Sequence, residues 1–62
     1  MNRHEANEVA TLTRYQRAGV QPGMIARSMS ALIRATRTKK ARAELLRHAA
    51  EFGVIGHPEF II

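Results

Sequence analysis

From Met24 to Phe52 the chain contains neither glycine nor proline, yet its apolar residues change phase partway along. Ile25, Met29, Leu32 and Ile33 lie at spacings of four, three and one, which is a single helical face, with Arg27, Arg34 and Arg37 on the other side and Ser30 between them. Ala41, Leu45, Ala49 and Phe52 lie at four, four and three, which is another. Ile25 and Leu45 are twenty positions apart, so at ~100° per residue the two stripes point roughly 200° away from each other in one continuous helix. Such a helix would need a second chain to cover one of its stripes. A break within Thr36-Arg37-Thr38 instead lets both stripes face one core, and Thr38 has the side chain of a helix N-cap. The phase change therefore predicts two helices where the absence of breakers suggests one.

The rest of the chain is punctuated more openly. Asn2 followed three residues later by Glu5 has the spacing of a capping box, and Glu5 and Glu8 suit the positive end of a helix dipole. Ala6, Val9, Ala10, Leu12 and Tyr15 supply the apolar face of this first helix, and Gly19 stops it. Val20-Gln21-Pro22-Gly23 is a loop, with Pro22 suited to the first turn of the next helix. Gly53 followed by Val54 predicts a Schellman ending for the third helix. The expected fold is all-α: one domain over residues 1–62, with three short helices at about 3–18, 22–36 and 38–52. The apolar tail Val54–Ile62 cannot be helical through Pro58, and it packs on the helices in this reading.

A chain of 62 residues buries only about 60% of the surface that its unfolded form exposes, so its core is thin. Small domains of this kind add disulfides, a metal or a second subunit. With no cysteine, disulfides and thiolate metal sites are excluded. His4, His48 and His57 have no ligand-like spacing, which leaves no metal expected and makes a homodimer a natural support. No apolar run approaches the ~20 residues that span a bilayer, and Met1–Glu5 lacks the apolar stretch of a secretory signal. The expectation is a cytoplasmic chain without a membrane partner.

Charge is distributed unevenly. Residues 1–26 hold Arg3, Arg14 and Arg17 against Glu5 and Glu8, a net of +1. Residues 27–47 hold Arg27, Arg34, Arg37, Lys39, Lys40, Arg42 and Arg47 against Glu44 alone, a net of +6. Residues 48–62 carry Glu51 and Glu59, a net of −2, and aspartate is absent. Lys39, Lys40 and Arg42 lie in the first turn of the third helix, where cations oppose the helix dipole at a few tenths of a kcal/mol each. Arginine outnumbers lysine eight to two, and its planar fork suits bidentate contact with phosphate or carboxylate. On the third helix, Lys40/Glu44, Glu44/His48 and Arg47/Glu51 have the i, i+4 spacing of helix-surface pairs.

Catalytic chemistry finds no footing: there is no Asp or Cys, no glycine-rich phosphate loop and no Ser/His/acid set. No enzyme activity, cofactor or small-molecule substrate is expected. The run Tyr15–Arg27 looks like the entry into a helix-turn-helix, but Ser28–Ile33 continues as helix where the tight turn belongs. The composition points instead to a binding protein: a nucleic-acid-associated accessory or regulatory protein whose Arg27, Arg34, Arg37, Lys39, Lys40, Arg42 and Arg47 grip phosphates. The alternative is a modulator of the kind that phages and mobile elements encode. It would bind and inhibit a larger host protein by setting the same basic face on an acidic surface. Phe60, Ile61 and Ile62 would then act as an apolar plug.

Overall fold

The computed structural model describes all 62 residues, in the order α1 (Arg3–Arg17), α2 (Pro22–Ala35) and α3 (Lys39–Phe52). The break between the two apolar stripes falls where their phases require it. Thr36 leaves α2 in extended conformation, and Thr38 caps α3 by accepting from the Ala41 N–H at 3.1 Å. Replacing an N-cap threonine of this kind costs about 1 kcal/mol.

The other helix ends follow from local chemistry. Asn2 and Glu5 form the full capping box: the Glu5 N–H donates to Asn2 Oδ1 at 2.7 Å, and the Asn2 N–H donates to Glu5 Oε1 at 2.9 Å. α1 and α3 close with the same device. Gly19 and Gly53 take positive φ, and the following Val20 and Val54 donate back to Tyr15 O and Ala49 O. The valine after each glycine turns inward, fully in the case of Val54.

The termini give the topology. Met1 N reaches Glu44 Oε1 at 2.6 Å, and Gln16 Nε2 donates to Phe52 O at 2.8 Å. The start of α1 therefore lies beside the first half of α3 and its end beside the end of α3, so these two helices run parallel and α2 runs the opposite way. All three pairs pack together, which makes a triangular bundle of 30 × 22 × 16 Å. Its core is Val9, Leu12, Ile25, Ala26, Met29, Leu32, Ile33, Leu45, Ala49 and Val54. No helix is long and apolar enough to cross a membrane.

Three details differ from the sequence expectation. In α1, Ala6, Ala10 and Tyr15 face outward, and the buried stripe is Glu5, Val9 and Leu12. Glu5 can face inward, only 6% exposed, because the capping box already satisfies its carboxylate. Ser30, expected among the arginines of α2, is 4% exposed. Its hydroxyl donates to Ala26 O at 2.8 Å and accepts from the Ile61 N–H at 2.9 Å, so burying it leaves nothing unpaired. The tail packs through Val54 and Phe60, whereas Ile61 and Ile62 stay 63% and 59% exposed.

Candidate nucleic-acid interface

The tail locates the basic face. After α3 it turns twice, with His57 N–H donating to Val54 O and Phe60 N–H donating to His57 O. It then follows α2 in the helix's own direction. His57 and Glu59 sit over Gly23, Arg27 Nη1 pairs with Glu59 Oε1 at 2.7 Å, and Ser30 holds Ile61. The opposite flank of α2 faces α1 across a shallow groove lined by Glu5, Glu8, Ser28, Leu32 and Ala35. Arg27 and Arg34 are about 140° and 160° round the helix from Leu32, so both lie on the side away from α1.

α3 divides its charges in the same sense. Glu44 reaches across to the start of α1, and Arg42 lies about 160° round α3 from it. Lys39, Lys40 and Arg47 occupy the solvent face of α3, within an arc of about 100°. Arg37 is in the turn that joins the two helices. All seven side chains are exposed, and Arg27 alone has a carboxylate within 4.0 Å. Six cations, Arg34, Arg37, Lys39, Lys40, Arg42 and Arg47, are thus exposed on α2, α3 and the turn between them with no carboxylate within 4.0 Å; Arg34 and Arg42 point away from α1, whereas Lys40 and Arg47 lie about 40° and 60° round α3 from Glu44.

The carboxylates are occupied elsewhere. The Lys40/Glu44, Glu44/His48 and Arg47/Glu51 pairs do not form. Glu44 takes the terminal amine, and Glu51 lies 3.4 Å from His48 Nδ1. The terminal amine beside it holds the Glu44 carboxyl below the usual carboxylate range. The Asn2 backbone N–H, with the Thr36 hydroxyl second, does the same for Glu5. Both carboxylates border an open hollow of about 300 Å³ at the end of the bundle where α1 and α3 begin, with Arg37 and Lys40 on its rim. Within the hollow the terminal amine and both carboxylates are committed to internal partners, whereas Arg37 and Lys40 are not. No cluster of three or more His, Cys, Asp or Glu converges anywhere to hold a metal ion.

In number, Glu5 and Glu8 nearly balance Arg3, Arg14 and Arg17, so charge totals along the chain hide these three arginines. Their spacings of eleven and three place all three within an arc of about 60° on the solvent face of α1. Glu5 is buried on the other side of the helix, and none of the three arginines has a carboxylate within 4.0 Å. Helical phase, applied to charge as well as to apolar residues, was the signal that could have found them.

No protein-family model matches the chain, and no curated protein or solved structure is significantly similar to it.

Proposed function

We propose that this chain is a nucleic-acid-associated accessory or regulatory protein that holds the phosphates of a duplex on its α2–α3 side. One observation carries this reading: Arg34, Arg37, Lys39, Lys40, Arg42 and Arg47 are all exposed on α2, α3 and the turn between them, with no carboxylate within 4.0 Å. Unpaired cations on a small body make a positive field that mobile salt alone answers, and a polyphosphate releases counterions when it replaces that salt. A duplex fits better than a single strand because the rings needed for stacking are missing from this face. Phe52 and Phe60 pack on the core, and Tyr15 is on α1. Contacts of this kind position a protein on the backbone and read little sequence.

The test is a titration of a labelled duplex of about 20 base pairs across a salt series. With six phosphate contacts the log–log slope is about −5, a loss on the order of a thousandfold between about 50 and 200 mM salt. Absence of binding at the low-salt end removes the reading.

A second reading has its own support in Ile61 and Ile62, which leave two large apolar side chains exposed beside Ser30 on the basic side. A modulator that occludes an acidic surface of a larger host protein would use both the cations and this apolar tip. Retained capture of an acidic protein by a chain that ignores duplexes at low salt would favour it.

A further inference from the structure

We infer that the arginine face of α1 receives a second duplex, so that the protein bridges two nucleic-acid segments. This inference rests on the phosphate-binding reading of the α2–α3 side. Arg3, Arg14 and Arg17 extend over the length of α1, about 21 Å at 1.5 Å per residue. A phosphate strand presents one charge per ~3.4 Å of axis, so several phosphates come within reach of that stripe. The face holds no carboxylate. Glu5 is buried, and Glu8 lies about 140° round the helix from Arg3. The only polar engagement among the three is Arg14 Nη2 donating to Thr11 Oγ1 at 3.2 Å, which leaves the remaining guanidinium donors free.

Position decides what these arginines can do. α2 meets α1 through the flank that carries Leu32, and α3 reaches it through Glu44. Arg34 and Arg42 are each about 160° round their helices from those residues. Arg34 and Arg42 therefore lie across the hydrophobic core from the α1 arginines, while Lys40 and Arg47, about 40° and 60° round α3 from Glu44, stand on the outer face of α3 between the two. The body between the opposite sides is at least 16 Å thick. A straight duplex cannot lie along both sides at once, so a chain engaged on both holds two duplexes. Complementary charge selects the occupant: a polyanion that already suits one face suits the other.

The experiment uses the full chain with two duplexes of about 20 base pairs, one carrying a donor dye and the other an acceptor, at about 50 mM salt. Bridging predicts energy transfer that rises as protein is added, passes a maximum, and declines once each duplex carries its own protein. Replacing the α1 face (R3Q, R14Q, R17Q) abolishes the transfer and leaves anisotropy-detected binding of one duplex within about threefold. The lysine version (R3K, R14K, R17K) keeps both, which excludes loss of fold as the cause. Binding of one duplex without transfer overturns the inference and leaves the proposed function standing. Transfer undiminished in the glutamine variant also overturns it, since the second duplex is then held by another face or another copy. No binding of either duplex overturns the proposed function and the inference together.

Discussion

Phe60 and the two isoleucines after it give a direct test of how this small core is closed. Phe60 is half-buried and packs against the central cluster, whereas Ile61 and Ile62 stand mostly in solvent. Truncating a fully buried phenylalanine to alanine costs about 3–5 kcal/mol, so a half-buried one loses about 2 kcal/mol. A domain of 62 residues has about 3–9 kcal/mol of stability in total, so F60A removes a large share of it. At about 4–8 °C per kcal/mol the melting temperature falls by about 8–16 °C. The paired variant I61S/I62S keeps the Ile61 N–H that donates to Ser30 Oγ and removes only exposed apolar surface. Its expected cost is within about 0.5 kcal/mol. Thermal melts followed by far-UV circular dichroism measure both. Equal destabilisation by the two variants would refute the division of the tail into a packed residue and a free tip. It would also withdraw Ile61 and Ile62 from any role in partner binding.

Two further outcomes follow from the same structure. Gly53 has φ +78 with open space around it, so G53A pays a conformational cost alone, about 1–2 kcal/mol. Gly23 lies inside α2, where an added Cβ would meet His57 and Glu59 at ordinary contact distance, so G23A is neutral or stabilising by up to about 1 kcal/mol; denaturant melts that rank the two in the opposite order would contradict the cap assignment. For Glu5, a folded-state carboxyl held below its unfolded value contributes stability above about pH 4.3 and loses it as pH falls through the lower folded value. The melting temperature of E5Q should accordingly lie below that of the parent at neutral pH, and the gap should close in the acid range; a gap that persists unchanged at low pH would disprove the linkage.

Much of the helical frame was legible from residue order because its determinants are local. The capping box at Asn2 and Glu5, the stop at Gly19, Pro22 in the first turn and Gly53 with Val54 each act within four or five residues. The hidden break at Thr36–Thr38 was legible for another reason: two stripes half a turn out of phase cannot share one core without it. Reading failed where a polar side chain was satisfied by a distant or unforeseen partner. Ser30 was placed outside because nothing in its neighbourhood reveals that Ile61 supplies a donor. Lys40, Glu44, Arg47 and Glu51 were paired by spacing, yet Glu44 found the terminal amine and Glu51 found His48. Exposed pairs at that spacing gain only a few tenths of a kcal/mol, too little to hold against a nearer rival.

Residue order alone determined that this chain makes three helices, where each begins and ends, and that positive charge is crowded between Arg27 and Arg47. Those properties depend on near neighbours and on counting. Tertiary packing decided which way the charges face. Parallel α1 and α3, with α2 reversed between their ends, set Arg34 and Arg42 on one side of the core and Arg3, Arg14 and Arg17 on the other. It also sorted the tail, taking Val54 and Phe60 inward and leaving Ile61 and Ile62 outside. The direction of a side chain in space depends on what buries the opposite face of its helix, and that is known only once all three helices are assembled.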